Sequence, residues 1–206
     1  KCPFGTTPHV VEPKCPGVVE RYIDLSQFYD RAGLQPLKAD ILAATAEYQG
    51  HYKRAYRCLG AAGELRRDMT ELLDTPEVGQ RLAKRAAGII ARELKRPAQG
   101  EGRLEQRFLS AVTHQGTVTL WGTVGAQADR VYELVDQYGL AHRMLAPILT
   151  AGLAAGHDAV ACPDPMAPDR LAHLVFPGLS LAFVTSTQED PWPHRAHRRL
   201  RLDAMA

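Results

Sequence analysis

Apolar residues fall at two different spacings along this chain, and the change from one to the other divides it. Residues 1–25 mix Pro and Gly with the β-branched pairs Val10-Val11 and Val18-Val19 and have no helical period, which predicts an extended arm. Ser26 reads as the N-cap of a short turn through Phe28 and Tyr29. From Leu37 the pattern turns helical: Leu37, Ile41, Leu42, Tyr48, Tyr52, Tyr56 and Leu59, then Leu65, Met69, Leu72 and Leu73, recur mostly in steps of three and four. That spacing predicts a long amphipathic helix, bent near Gly60 and Gly63, with Tyr48, Tyr52 and Tyr56 in the core. A second helix starts at Thr75-Pro76-Glu77, where Thr caps, Pro takes the first helical position and Glu faces the positive end of the dipole. Its buried stripe is Val78, Leu82, Ala86, Ile89 and Leu94, and the two helices suit an antiparallel hairpin over 26–97.

After a polar linker at 97–102 the period shortens. Residues 108–112 and 117–121 read as strands around His114-Gln115-Gly116, 126–130 as a helical turn, and 131–135 as a strand. A glycine-bearing turn and a helix through Ala155 follow, then a short strand at 159–162 and an apolar one at 179–185, typical of a sheet covered on both faces. Strand, turn, helix, strand is a βαβ unit, so 98–206 reads as an α/β domain. A weak repeat links the ends: Thr6-Thr7-Pro8-His9 before Tyr22-Ile23-Asp24-Leu25 matches Trp192-Pro193-His194 before Leu200-Arg201-Leu202-Asp203.

Composition narrows the class. The 206 residues are 45% hydrophobic and 23% charged, without a run approaching the roughly 20 apolar residues that span a bilayer, so a cytoplasmic protein with no membrane segment is expected. A formal charge of +2 does not argue for nucleic acid, although His194, Arg195, His197, Arg198, Arg199 and Arg201 crowd the C-terminus, where a solvated tail is the plainer reading. Cys2, Cys15, Cys58 and Cys162 are widely spaced and read as reduced thiols; Cys2 and Cys15 bridge only if their segment folds back. Cys162 with His173, or His194 with His197, lacks the further ligands that zinc needs.

The candidate chemistry sits after the strand at 131–135. A phosphate-binding loop places a Gly-rich turn between strand and helix so that backbone N–H groups cradle phosphate, while its Lys adds charge and its Ser or Thr holds magnesium. In Asp136-Gln137-Tyr138-Gly139-Leu140-Ala141-His142-Arg143, only Gly139 remains of the glycines. Asp136 and Ala141 stand where the first and last belong, and His142 and Arg143 where Lys and Ser/Thr belong. Asp136 brings negative charge to a phosphate's place, Ala141 resists positive φ, and Pro147 implies a helix that starts late.

These segments resemble, in order and spacing, an uncharacterised bacterial family of two-repeat P-loop ATPase-like proteins. The likeness runs through residues 113–116, the strand-turn-helix to Leu149, Ala154-Ala155-Gly156-His157-Asp158, Asp164-Pro165, Phe176-Pro177-Gly178-Leu179 and Ala182-Phe183-Val184-Thr185. The opening Gly5-Thr6-Thr7-Pro8-His9-Val10-Val11-Glu12-Pro13-Lys14 is similar to the end of that family's first repeat, and Lys53-Arg54-Ala55-Tyr56-Arg57 to its central helices. The resemblance implies a P-loop NTPase-like βαβ sheet domain with a helical hairpin insertion, a missing N-terminal repeat upstream of Lys1 or another copy of the chain as partner, and ATP with Mg2+ as ligand of the intact protein. With the loop at 136–143 degenerate, this chain alone is expected to be inactive.

Other candidates carry plainer alternatives. Thr6, Thr7, His9 and Lys14 complete a site supplied by the missing half, or shape a turn. Asp164 and Asp169 are carboxylates for magnesium, or a turn before Pro165 and the cap of a short helix. Gly122-Thr123-Val124-Gly125 has no Lys after it and reads as a loop. No Ser or Cys stands in a nucleophile elbow. Two functions follow: a nucleotide-binding ATPase-like protein, or a structural or partner-binding pseudo-ATPase module. Nucleic-acid binding through the basic C-terminus is a third.

Overall fold

A computed structural model describes residues 28–95 and 100–205. The arm at 1–25, with Thr6, Thr7, His9 and Lys14, the Cys2 and Cys15 pair and the linker residues 97–99 lie outside the described residues. The chain divides into two compact units, Lys1–Gly60 and Ala61–Ala206.

In the first unit Asp30 caps the single turn α1 (Arg31–Leu34) by accepting the Gly33 N–H at 2.9 Å. The chain then enters α2 (Lys38–Leu73), whose helical residues continue past Gly60. The tyrosines predicted for the core form a surface ladder instead: Tyr52 and Tyr56 are exposed, and successive rings stand 6.0 Å apart. A helical period identifies residues that share a face, and does not ensure that another element covers it.

In the second unit α3 (Pro76–Glu93) forms as its sequence predicts. Thr75 accepts the Val78 N–H, Pro76 opens the helix, and all five stripe residues are buried, Leu82 completely. The stripe packs on α5 (His142–Ala154). A buried leucine of this kind contributes about 1.5–3 kcal/mol.

The sheet beneath α3 and α5 has six strands, β1 (Leu104–Gln106), β4 (Arg130–Val135), β5 (Ala159–Asp164), β6 (Ala167–Phe176), β7 (Leu181–Ser186) and β8 (Arg198–Arg201). Their spatial order is β1-β5-β6-β7-β4-β8, all parallel except β6. The fold is mixed α/β with a mostly parallel central sheet. β2 (Ser110–Thr113) and β3 (Gly116–Thr119) make a separate hairpin, and α4 (Trp121–Gly125) follows it.

Side chains alternate across the sheet. Tyr132, Leu134, Leu181 and Phe183 join the core under α3 and α5, while Val131, Ala182 and Val184 join a second core with Val124 and Trp192. Both faces are covered, which is why β7 reads as an unbroken apolar run. α5 approaches β6 so closely that a Cβ on Gly152 would lie 2.3 Å from the Phe176 ring.

Several boundaries differ from expectation. Helical residues occur at Trp121–Gly125 rather than 126–130. β6 has no counterpart among the expected strands, and it holds Asp169 as an exposed strand residue rather than a helix cap. The basic C-terminal segment is an outer strand rather than a solvated tail: Leu200 pairs in register with Leu134, and Leu202 is fully buried. α5 begins at His142 despite Pro147. Among the described residues no helix is long and apolar enough to cross a membrane.

Candidate functional site

In an open parallel sheet the carboxyl ends of the strands form the usual ligand-binding edge. β4 ends there and runs directly into Asp136. The Asp136 side chain turns back into its own loop: Oδ1 accepts the Tyr138 N–H at 3.1 Å and Oδ2 accepts the Ala141 N–H at 2.6 Å. The nearby Leu140 N–H adds to the stabilisation of the charged carboxylate. Only 1% of Asp136 is exposed. Burial pushes this carboxyl above the usual range, against the three N–H groups that pull it down, and nearby Asp203 adds to the rise.

The physical consequence is substitution. N–H groups around a strand-to-helix turn form an anion site, strengthened by the positive end of the following helix. Asp136 supplies that anion from within the chain. It also explains the early start of α5: Ala141 occupies the cap position without a capping side chain of its own, and its N–H is satisfied by Asp136. Pro147 then removes a single bond inside the helix.

The other loop residues close around this arrangement. Gly139 takes φ +79°, which suits glycine, and a Cβ there would meet Thr70 Oγ1 at 3.2 Å. Buried Thr70, on the Ala61–Leu73 part of α2, places its hydroxyl 2.6 Å from the Tyr138 carbonyl oxygen. His142 Nδ1 donates to the Gly139 carbonyl at 2.8 Å, and Arg143 pairs with Asp74 at 3.2 Å. Thus His142 and Arg143 are both engaged away from the N–H groups that surround Asp136. The cleft beside Asp136, Gly139, His142 and Asp164 measures about 30 Å³, room for water rather than an enclosed nucleotide pocket.

Asp164 ends β5 and is held by Arg66, with Nη2 to Oδ2 at 2.9 Å and Nη1 to Oδ1 at 3.3 Å; it also accepts the Met166 N–H. It is a turn residue locked by a two-pronged ion pair. Asp169 does not join it in a metal cluster: no group of three or more His, Cys, Asp or Glu side chains among the described residues is placed to hold a metal. Cys162 and His173 do pair across β5 and β6, without further ligands.

One constellation had no sequence signal. His173 Nε2 lies 3.0 Å from Ser110 Oγ, Ser110 lies 2.8 Å from Thr119 Oγ1, and Thr119 donates to Asp190, which also accepts the Trp121 indole N–H. A cavity of about 370 Å³ borders this chain of groups. The set resembles a nucleophile with its base, but the proton is on the wrong side. His173 Nδ1 accepts the Thr185 N–H, so Nε2 carries the hydrogen and donates it to Ser110. Burial lowers the His173 pKa to about 4, opposed by Asp164, and leaves the ring neutral. Ser110 accepts a hydrogen bond from the ring here, whereas a nucleophile must donate its proton to the base. These residues stand 63 positions apart, joined only because the β2–β3 hairpin packs against β6.

Against known proteins, the chain matches no protein-family model, no curated protein and no solved structure.

Proposed function

We propose that this chain is a nucleotide-silent α/β module of a P-loop ATPase-like protein, serving as a structural or partner-binding part. The observation that carries this reading is the Asp136 carboxylate, buried among the N–H groups of Tyr138, Leu140 and Ala141 where a phosphate would otherwise lie. The strand-turn-helix frame fits a phosphate-loop ancestry, while the chemistry of its residues opposes phosphate. A triphosphate arriving there would meet a buried negative charge and a cleft of about 30 Å³, and Arg143 stands where a phosphate loop carries its magnesium-holding hydroxyl. In the intact protein, binding of ATP with Mg2+ and any hydrolysis fall to the other repeat implied by the family resemblance.

The test is thermal unfolding with millimolar ATP and magnesium, against sodium chloride of equal ionic strength. A ligand at 100 times its Kd stabilises by about 2.7 kcal/mol, so a competent site cannot hide. No nucleotide-specific rise in melting temperature is expected. A rise of a few degrees, or release of phosphate from ATP by this chain, overturns the proposal.

A further inference from the structure

A partner-binding module needs a surface for its partner, and the second unit has one away from the loop. α3 and the outer strand β8 border a groove of about 500 Å³. Its walls carry Arg81, Lys84, Arg85 and Arg92 from α3 and Arg198 from β8, with no acidic residue in the lining. Arg92 bonds Glu93 and Tyr132, and Arg81 bonds the Met205 carbonyl oxygen. Lys84, Arg85 and Arg198 are exposed and make no ion pair among the described residues. From Arg81 to Arg92 the helix advances about 16 Å, the length of roughly five residues of extended chain.

Two further features select among anions. The groove floor is apolar, with Ile89, Leu200 and the fully buried ring of Tyr132, so it offers places for aliphatic side chains and no exposed aromatic face for stacking a base. β8 pairs only with β4 among the described residues, which leaves its other edge open to an added strand. Arg199 is paired with Glu133, but Arg198 and Arg201 repel a cationic strand or a second copy of β8 and attract an acidic one.

We propose that this groove docks an acidic peptide segment in extended form, added to β8 as a further strand, with its carboxylates on Lys84, Arg85 and Arg198. The inference rests on the partner-binding reading and names the chemistry of the partner. Backbone hydrogen bonds supply the register, and the cations and apolar floor select alternate side chains.

The full chain is titrated against a fluorescein-labelled twelve-residue peptide of alternating Glu and Val, read by anisotropy. Saturable binding is expected, at least tenfold weaker for the Lys84→Glu/Arg85→Glu protein. It is also expected to be at least tenfold weaker when the peptide backbone is N-methylated at alternate residues, a comparison that uses the unaltered protein. Three results overturn the proposal: no binding at low salt, equal binding of the N-methylated peptide, or tighter binding of an oligothymidylate of equal charge. Failure of this titration leaves the thermal response to ATP and magnesium unchanged, so it is separable from failure of the silent-module reading.

Discussion

Asp136 and Glu93 are two contrasting carboxylates among the buried ones of this domain, at opposite ends of β4. Glu93 receives the Tyr132 hydroxyl at 2.6 Å, Arg92 Nε at 3.0 Å and Arg130 Nη1 at 2.5 Å. Burial alone would raise its carboxyl, but the bonds from Tyr132, Arg92 and Arg130 together hold it below the ordinary range. Asp136 receives only backbone N–H groups, and burial wins. Two guanidinium partners make Glu93 a structural anion in the usual way, whereas Asp136 lies in a ring of N–H dipoles suited to an anion that comes and goes.

The largest effect expected from breaking this contrast is at Asp136. Asp136→Ala leaves the buried Ala141 N–H and the part-buried Tyr138 N–H without an acceptor, which costs about 2–4 kcal/mol allowing for water entry. A melting temperature lower by roughly 5–15 °C follows for a unit of this size. Millimolar inorganic phosphate should recover part of that loss in the variant and none in the unaltered chain, because only the variant has an unfilled ring. An Asp136→Ala protein that melts like its parent would show that the carboxylate is not what organises the loop.

Glu93→Gln comes next. It removes a charge from two arginines that are themselves partly exposed, so the expected loss is about 2 kcal/mol rather than the full cost of breaking an enclosed pair. Thermal melts at pH 7 check it.

The pH dependence of the two carboxylates must run in opposite directions. Glu93 has a lowered folded pKa, so its contribution is complete above the unfolded value of about 4.3 and is lost as pH falls through the folded value. Asp136 has a raised folded pKa, so its protonated form favours folding below about 3.9, and that contribution is lost as pH rises through the folded value. Subtracting the Asp136→Asn melting profile from that of the unaltered chain should leave a term that falls with rising pH. The corresponding Glu93→Gln difference should rise. Two terms of the same sign would dissolve the distinction.

Much of this frame is legible in the sequence, for reasons that also mark its limit. Thr75-Pro76-Glu77 and five apolar positions identify α3 because cap, propensity and period agree. α2 has a comparable period, yet Leu65 and Leu72 stay exposed, since periodicity carries no information about what lies opposite. β6 escapes notice because Pro168, Asp169 and Arg170 interrupt its first half and conceal an apolar end at Leu174, Val175 and Phe176. β8 is hidden by arginines that suit an outer strand and resemble a tail. At the loop, residue types reveal that Asp136 opposes phosphate. That its carboxylate turns back onto the loop's own N–H groups depends on a side-chain direction, which spacing does not encode.

The smallest effect tests whether α2 closes the loop from outside. Thr70 presents its hydroxyl to the Tyr138 carbonyl at 2.6 Å and to the Arg66 carbonyl at 2.9 Å, and one proton serves both. Thr70→Val keeps the shape and removes that donor, for an expected loss of about 1 kcal/mol, while Thr70→Ser keeps the bond and should be nearly neutral. Thr70→Val should also speed amide exchange at Tyr138 and Leu140, which lie beneath the contact, with little change at Tyr132 and Leu134 in the sheet. Equal acceleration at both places would mean that Thr70 acts on global stability. Then Asp136 alone would distinguish this loop from the Glu93 cluster.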